Sequence, residues 1–390
     1  MSVYSSLRDE VSSKRKILGS PPLVERKWLP VENSGAKGKN LTLLQWNVLA
    51  DGLSGRHPTK GDFIMSPTDS LDWKSRRWAL LEEILYWDCD LLTMQEVDHH
   101  HDFFAPMLER AGYCGLFVKK PSAPGLDYGA GLEDGCSLFY KHEGLGGRGL
   151  HLLDVHSFTY AIVNPGQEIN ESTVSGGGGV DIPERVTQNQ VATLALFRVK
   201  LGGAGGSGGD ESSLLIVVTT HLKATKNTEG EIVRAQQIKQ LLVEIERFRY
   251  GHATGRGASP ETIPVVLAGD LNAPPVEVEG GSGSSKGYDP LCIQEVRAHS
   301  LGFHSAFDLD GMFTTWKIRP AVKGWTGPPS KQERTEIKSC MDYVWVTKGV
   351  EILRRSSLPT GDDLGVERIP SHKYPSDHFA LAVELKLKLP

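Results

Sequence analysis

The chain has 390 residues, of which 23% are charged and 39% hydrophobic, and this composition is that of an ordinary globular protein. A chain of this length can bury a large core and could form more than one domain. The formal net charge of -5 argues against a broad electrostatic binder of nucleic acid, and no apolar run reaches the roughly 18 residues of a membrane span.

Residues 1–40 are predicted to form a flexible tail, because prolines and glycines such as Pro21, Pro22 and Gly35 interrupt any regular element. It contains no apolar signal segment, and its serines and basic residues leave an organelle transit peptide as an alternative. The five cysteines are scattered and lack C-x-x-C spacing, which favours reduced thiols in an intracellular protein. We therefore expect a cytoplasmic protein, with a mitochondrial location as the alternative.

Apolar patterns beyond the tail predict many strands and three helices. The predicted helices are 73–87, 102–112 and 231–248. The predicted strands are 41–49, 91–95, 116–118, 136–140, 191–199, 214–219, 265–268, 343–346 and 379–389. Glycine-rich stretches at 176–179, 202–209 and 280–287 are interpreted as insertions between elements. The pattern predicts an α/β sandwich in one domain over 41–390, with sheets packed on each other and helices outside.

Polar side chains gather at the ends of the predicted strands. Those that follow a strand are Asn47, Glu96, His221, Asp270 and Asn272, and those that precede one are Asp342, Asp377 and His378. Each has a structural explanation when taken alone, since His221 could be a half-buried histidine and Asp377 could cap a turn. Together they predict one site, because the strand ends of packed sheets hold side chains on a rigid scaffold.

The predicted site contains oxygen ligands and two histidines but no cysteine. Mg²⁺ prefers such oxygen ligands, keeps several waters and accepts phosphate oxygens as further ligands. Zinc would require a tighter group of histidine and cysteine. The pattern therefore indicates a Mg²⁺ cofactor, for which Mn²⁺ can substitute, and the hydrolysis of a phosphoester.

The order of these motifs resembles that of the endonuclease/exonuclease/phosphatase superfamily. The motifs are Gln45-Trp46-Asn47, Gln95-Glu96-Val97-Asp98, Thr220-His221-Leu222-Lys223, Gly269-Asp270-Leu271-Asn272 and Ser376-Asp377-His378. Within the superfamily the chain resembles the carbon catabolite repressor-type deadenylase branch, and most of all the nocturnin-like family, chiefly through Trp316-Lys317-Ile318-Arg319 and Lys120-Pro121. The resemblance covers about residues 41–385 and implies a four-layer α/β sandwich, with two packed mixed β-sheets flanked by helices.

The resemblance also implies how the strand-end residues act on a phosphate. Glu96 would be the main metal ligand, and Asn47 would assist it. Asp270 would orient or deprotonate the attacking water, and Asn272 would hold the phosphate.

The remaining strand-end residues would complete the catalytic group. His378, steadied by Asp342, would help to activate the water or would stabilise charge, with Asp377 near the metal. His221 would donate a hydrogen bond to a phosphate oxygen in the transition state.

Substrate binding is likewise implied by the resemblance. The substrate-binding residues would be Asn47, Lys120, Asn189, Lys223, Trp316 and Arg319. Lysine suits this task as a compact charge and arginine as a fork of donors. Where the nocturnin-like family has a basic residue after the His-Leu-Lys-Ala run, this chain has Thr225 followed by Lys226.

Two enzyme activities remain open from the sequence. The nocturnin-like family implies removal of the 2′-phosphate of NADP or NADPH, whereas the wider branch implies 3′-5′ exoribonuclease action on poly(A). The acidic balance and the lack of a leucine-rich-repeat region favour the dinucleotide. A catalytically silent RNA-binding protein is a further alternative, against which the complete polar set argues. We expect a monomer that binds an adenosine-containing nucleotide or an RNA 3′ end and no membrane.

Overall fold

The computed structural model describes residues 3–31, 40–55, 63–123, 126, 132–142, 149–163, 185–200, 212–254, 262–275, 289–321 and 333–388. The helices are α1 (Val3–Ile17), α2 (Trp73–Trp87), α3 (Ala105–Glu109), α4 (Thr228–Thr254), α5 (Leu291–Ala298) and α6 (Gly361–Leu364). None of the described helices combines the length and the hydrophobicity that crossing a membrane requires. The glycine-rich stretches predicted as insertions lie outside the described residues.

The strands of the described residues form two large sheets and a separate two-stranded ribbon. They are β1 (Trp28–Pro30), β2 (Asn40–Asn47), β3 (Leu91–Val97), β4 (Tyr113–Lys119), β5 (Gly135–Lys141), β6 (Leu150–Val163), β7 (Arg185–Lys200), β8 (Ser212–His221), β9 (Val265–Asp270), β10 (His304–Ser305), β11 (Thr315–Pro320), β12 (Arg334–Ser339), β13 (Asp342–Val346), β14 (Val350–Ser356) and β15 (Leu381–Leu387).

Both large sheets are mixed. The first has the strand order β1-β14-β15-β2-β3-β5-β4, and the second has the order β10-β13-β9-β8-β7-β6. Each contains one parallel pair, β2 with β3 in the first sheet and β8 with β9 in the second, while the other neighbours are antiparallel. The ribbon joins β11 and β12. Each parallel pair brings the carboxyl ends of two strands to the same edge of its sheet, and the active-site candidates lie there.

The two sheets pack face to face, and helices cover their outer faces. The central core contains Leu43 and Leu381 of the first sheet and Val217 and Val266 of the second. A second core lies between the first sheet and α1, α2 and α3, and a third lies between the second sheet and α4 and α5. Strands buried on both faces need continuous apolar runs, which is why 265–268 reads as an unbroken run. The predicted four-layer α/β sandwich is confirmed.

The predicted flexible tail is wrong for residues 3–31. This segment contains α1, in which Leu7 and Val11 are buried against α2, and the strand β1, which pairs with β14. Arg15 of α1 also forms an ion pair with Glu82 of α2. Residues four apart share one helix face, so Leu7 and Val11 suffice to dock a helix that is otherwise polar. Pro21 and Pro22 follow the helix and do not prevent it.

Smaller differences concern elements with weak local patterns. The predicted helix 102–112 is shorter in the structure, where a wide turn over His100–Phe104 leads into α3. Strands β6, β11, β12 and β14 and helix α5 are not predicted from the sequence. In the ribbon, β11 is half-buried beyond Thr315 and β12 alternates between exposed and half-buried residues, so no buried apolar run marks either strand.

Candidate active site

The strand ends bring the predicted polar residues to one edge of the sandwich. Asn47 is the last residue of β2, and Asp270 is the last residue of β9. In the second sheet Asp270 pairs in register with both His221 of β8 and Asp342 of β13. A side chain at Gly269 would collide with the carbonyl oxygen of Thr220, so this glycine lets β8 and β9 approach each other.

Asn47 connects the two sheets through its side-chain amide. Its Nδ2 atom lies 3.1 Å from Oε1 of Glu96 and 3.0 Å from Oδ2 of Asp270. Its Oδ1 atom accepts a hydrogen bond from the backbone N–H of Leu49 at 3.0 Å, which fixes the orientation of the amide. The predicted metal ligand of the first sheet and the predicted water-binding carboxylate of the second are therefore held by one side chain.

Glu96 and Asn272 both have left-handed backbone conformations, with φ of 55° and 53°. Such conformations are unfavourable for residues other than glycine, and they are maintained by surrounding contacts. The backbone N–H of Ala50 donates to Oε2 of Glu96 at 3.3 Å, and the N–H of Asn272 donates to Oδ1 of Asp270 at 2.9 Å. The strained backbone turns both side chains towards the strand-end cluster.

His378 lies among three carboxylates. Its Nδ1 atom is 2.7 Å from Oδ2 of Asp342 and 3.9 Å from Oδ2 of Asp270, and its Nε2 atom is 3.9 Å from Oδ2 of Asp377. Burial lowers the pKa of His378, but the negative charges of Asp342, Asp377 and Asp270 outweigh burial and raise the pKa to about 9. The imidazole is therefore a cation at neutral pH.

The pKa values of Asp342 and Asp270 are shifted in opposite directions. Burial raises the pKa of Asp342 despite the charge of His378 and a hydrogen bond from Thr314 Oγ1 at 2.6 Å. Burial acts in the same direction on Asp270, but the charge of His378 above all lowers the pKa of Asp270 below its ordinary value. Asp270 is thus held as an anion within the cluster.

His221 approaches the same carboxylate from β8. Its Nε2 atom lies 3.5 Å from Oδ2 of Asp270, and its Nδ1 atom is buried without a hydrogen-bond partner. Burial lowers the pKa of His221 to about 4, and the charge of Lys120 acts in the same direction. His221 is therefore neutral at pH 7 and retains one N–H for donation.

Cations surround the carboxylates on two sides. Lys120 forms a buried ion pair with Asp134, and although burial lowers the pKa of Lys120, the charges of Asp134 and Glu96 raise it above its ordinary value. Lys317 donates to Oδ2 of Asp377, and Nη2 of Arg319 lies 3.6 Å from the same oxygen. Lys317 and Arg319 lie two residues apart in β11, so their side chains point to the same face of the strand.

The charges of these cations also act on Asp377. Burial opposes its ionisation, but the charges of Lys317, His378 and Arg319 outweigh burial and hold the pKa of Asp377 well below its usual range.

Lys226 provides a basic side chain on a third side. Its Nζ atom lies 2.7 Å from Oδ1 of Asn272 and 3.2 Å from the carbonyl oxygen of the same residue. The residue is exposed as a whole, yet its ammonium group is enclosed, and this burial lowers the pKa of Lys226 while Asp270 partly offsets it. The position at which the family has a basic residue is occupied by Thr225. Lys226, the next residue, brings a basic side chain to the site instead.

The donor set fits a hard divalent cation. Glu96 offers a half-buried carboxylate beside the amide of Asn47, and no cysteine takes part. Asp270, Asp342 and His378 also have ligand atoms within 4.8 Å of one another. The 2.7 Å contact between His378 and Asp342 is a hydrogen bond, however, and a proton shared between these atoms leaves no room for a metal. Glu96 is the better metal ligand, and Asn47 could join it only through its amide oxygen, which also accepts from the N–H of Leu49.

Three predicted substrate-binding residues lie apart from the cluster or lack a side-chain contact with it. Asn189 uses both ends of its amide on the backbone of Ser122, at 2.7 and 2.6 Å, and so anchors the segment after Lys120. Trp316 donates a hydrogen bond to Glu336 and meets the ring of Phe313 edge-on, on the opposite face of β11 from the neighbouring lysine and arginine. Lys223 contacts its neighbours through the backbone in the described structure.

Two cations of the site, Lys317 and Lys226, were not predicted as site residues. Lys317 belongs to the motif that points to the family, and its spacing of two from Arg319 is the signal that would have identified it. Lys226 is signalled only by the displacement of the expected basic residue by one position. Neither residue carries an apolar or strand-end pattern, so the tertiary fold is needed to place each of them at the site.

Comparison with known proteins identifies relatives along nearly the whole chain. A model described as the Endonuclease/Exonuclease/phosphatase family matches residues 44–378. Nocturnin of Xenopus laevis is 30% identical over 365 residues, covering 90% of this chain and 74% of that protein. The CCR4-Not complex 3'-5'-exoribonuclease subunit Ccr4 of Neurospora crassa is 24% identical over 404 residues, covering 94% of this chain and 48% of that protein.

A solved structure has the same fold. The catalytic domain of human Nocturnin with a bound sulfate anion superposes with a TM-score of 0.62 at 24% identity, covering 94% of this chain and 99% of that one. The family match from residue 44 to residue 378 contains all the strand-end residues, from Asn47 to His378.

Proposed function

The chain belongs to the endonuclease/exonuclease/phosphatase family and is a phosphoester hydrolase, and we propose that it removes the 2′-phosphate of NADP or NADPH with Mg²⁺ as cofactor. The nocturnin-like resemblance of its motifs implies this substrate. The strand-end cluster supports the proposal, because it combines a metal-binding carboxylate, an anionic acceptor for water and several cations within one small site.

Glu96 and Asn47 would hold the metal, for which Mn²⁺ can substitute. The bound cation would polarise the phosphoryl group and neutralise charge that develops on its oxygens. Asn47 then has a double task, since its Nδ2 atom also donates to Asp270 at 3.0 Å. Asn47 would thus keep the water-binding carboxylate at a fixed position relative to the metal ligand.

The protonation of the cluster supports one of the roles that the sequence leaves open for His378. His378 is a cation at neutral pH because its pKa is about 9, and a protonated imidazole cannot accept a proton from water. His378 would therefore stabilise negative charge, while the anionic Asp270 orients the attacking water through Oδ2. Asn272 and the neutral His221 would donate hydrogen bonds to phosphate oxygens.

The observation that carries the proposal is the compact arrangement of the cations. Lys120, Lys226 and the pair Lys317 and Arg319 face the carboxylates from three sides. Such an arrangement suits a short ligand that bears several phosphates, since lysine and arginine bind phosphate oxygens directly. The net charge of -5 gives no support for a long basic track along an RNA chain.

The alternative function is 3′-5′ exoribonuclease action on poly(A). The observation in its favour is the similarity of the whole domain to the Ccr4 exoribonuclease subunit, at 24% identity over 94% of this chain. A monomeric enzyme with a cytoplasmic or a mitochondrial location is compatible with either substrate.

One preparation assayed on two substrates tests the proposal. We expect the purified protein to release phosphate from NADPH while NAD, which lacks the 2′-phosphate, is neither hydrolysed nor a strong inhibitor. We expect weak dependence of the NADPH reaction on salt, because few phosphates are neutralised at once. If a preparation degrades a 3′ adenylate tail but leaves NADPH intact, the proposed function is wrong and the alternative function is supported.

A further inference from the structure

A second cleft adjoins the catalytic centre on the first sheet. It has a volume of about 600 Å³, and Asp98, His101, Phe117 and Lys119 are among the residues that line it. The catalytic roles proposed above use none of these residues. The cleft lies between the end of β3, the end of β4 and the turn that precedes α3.

Short segments of chain connect the cleft with the metal site. Asp98 follows Glu96 by two residues, so their Cα atoms are at most about 7 Å apart. The loop after β2 touches both carboxylates, because Ala50 donates to Glu96 at 3.3 Å and Gly52 donates to Oδ2 of Asp98 at 3.1 Å. Lys119 likewise adjoins Lys120, which lies in the catalytic cluster. These short connections place the cleft beside the metal site.

Asp98 supplies an acceptor on the wall of the cleft. The residue is 7% exposed, and its Oδ2 atom is occupied by the backbone N–H of Gly52. Within the described part of the chain no hydrogen bond engages its Oδ1 atom, and this atom is not sealed from solvent. A half-occupied carboxylate of this kind accepts hydrogen bonds from the hydroxyls of a ribose, as acidic residues do in dinucleotide sites.

Aromatic side chains supply the surface for a base. Phe117 is half-buried, with one neighbour, His100, stacked at 4.7 Å and another, His101, edge-on at 5.5 Å. His101 is exposed at the mouth of the cleft. Lys119, which pairs with Glu133 at 2.9 Å on the exposed rim, places a cation where a phosphate linkage would pass.

We propose that this cleft binds the second nucleoside of a dinucleotide substrate, with Asp98 accepting from the ribose hydroxyls and Phe117 contacting the base. For NADP(H) this is the nicotinamide half, so the inference rests on the proposed function. The catalytic cluster then holds the 2′-phosphate, and the cleft adds affinity and selects a dinucleotide over a mononucleotide.

The test compares NADPH with adenosine 2′-monophosphate, which lacks the second nucleoside. Asp98→Asn retains an acceptor for Gly52 but loses the charge, and Phe117→Leu keeps an apolar side chain in place of the ring. We expect the KM for NADPH to rise roughly tenfold in Asp98→Asn and about fivefold in Phe117→Leu. The loss in kcat/KM on the mononucleotide should be several times smaller than on NADPH.

A matched control variant is Asp308→Asn. Asp308 accepts a backbone N–H, from Asp310 at 3.2 Å, and lines a different cleft of about 510 Å³ at the β10 edge of the second sheet. This variant should behave as wild type on both substrates. Equal losses on the two substrates in Asp98→Asn and Phe117→Leu would show a structural effect, and unaltered kinetics on NADPH would show that nothing binds there. Either outcome overturns the proposal.

Direct binding of nicotinamide mononucleotide separates this inference from the proposed function. If the wild-type protein releases phosphate from neither substrate, the proposed 2′-phosphatase activity fails. In that case, weaker binding of nicotinamide mononucleotide to Asp98→Asn than to Asp308→Asn, measured by calorimetry, would still support the nucleoside cleft. Equal binding by the two variants would overturn it.

Discussion

The Nδ1 atom of His378 lies 2.7 Å from Oδ2 of Asp342, and both side chains are buried. Asp342 in turn accepts from Thr314, so the carboxylate that faces the histidine cannot rotate freely. This contact, together with Asp270 and Asp377, explains why a buried histidine keeps its charge. It also connects the ionisation of the active site to the stability of the fold.

The Asp342→Asn substitution should flatten the pH dependence of stability. His378 has a pKa of about 9, above its ordinary value of 6.5, so its stabilising contribution is complete below pH 6.5 and is lost as the pH rises through 9. For one proton, the free energy of unfolding falls by at most ~1.4 kcal/mol per pH unit in this window. Urea unfolding of the wild type and the variant in EDTA, between these two pH values, measures the effect. Parallel pH profiles for the two proteins would contradict it.

The metal site gives a prediction for Glu96. Chelation with EDTA should abolish turnover, and Mg²⁺ or Mn²⁺ should restore it, because the site offers oxygen ligands for a hard cation. Glu96→Ala should lose several orders of magnitude in kcat with an unaltered circular dichroism spectrum, since the side chain is only half-buried and is not part of the core. Glu295→Ala, which removes a surface carboxylate paired with Lys239, is the control and should retain full activity. Full turnover after exhaustive chelation would exclude the metal mechanism.

Asp270 and His378 should behave as one catalytic unit. Their side chains are 3.9 Å apart at the nearest atoms, and both are proposed to act at one phosphoryl group. Asp270→Ala and His378→Ala should each be nearly inactive, and the double variant should be little worse than either, because effects within such a unit are strongly non-additive. Single-turnover rates of the three variants provide the measurement. A double variant that loses the product of the two single losses would place the residues in separate steps.

Lys226 should contribute to substrate binding. Its ammonium group lies 2.7 Å from Asn272, which is proposed to hold the phosphate, so a small displacement would bring it to a phosphate oxygen. Lys226→Ala should raise the KM for NADPH by roughly tenfold or more, corresponding to ~1.5–3 kcal/mol for a hydrogen bond to a charged group. Lys239→Ala, a surface lysine on α4 that pairs with Glu295, should leave the KM unaltered. If Lys226→Ala also retains the wild-type KM, Lys226 only holds Asn272 and does not bind substrate.

Helix α1 should contribute to global stability. Leu7 is fully buried against α2, and Leu→Ala substitutions in cores cost ~2–5 kcal/mol. Leu7→Ala should therefore lower the urea midpoint clearly. Ile17→Ala, on the same helix but 77% exposed, should alter the free energy of unfolding by less than about 0.5 kcal/mol. Equal, small effects of the two substitutions would instead support the prediction of a flexible tail for this segment.

The sequence predicts those parts of the fold whose signals are local. Helix α2 is found at its predicted bounds because Asp72 caps its start by accepting from the N–H of Lys74, and Asp88 ends it in a left-handed conformation. Helix α1 has only a short apolar stripe, and its stability comes from the surface of α2, which no local pattern reveals.

The site shows the same division. The strand ends locate Asn47 and Asp270, but not the hydrogen bond between them, which joins residues 223 apart in the chain. The motif that contains Trp316 is informative about the family, yet the alternation of β11 directs Lys317 rather than the tryptophan towards Asp377. Side-chain direction depends on the register of β11 with β12, and sequence alone does not fix that register.

The bond from Asn47 to Asp270 also has a kinetic consequence. Contacts between residues so distant in sequence require the closure of a long loop, and they slow folding relative to local contacts. During refolding, helical signal should return before hydrolysis, because turnover needs both sheets docked and the amide of Asn47 in place. The time course of recovered activity therefore measures when folding is complete. A variant weakened in α1 would be expected to show fewer active molecules, each working at the normal rate.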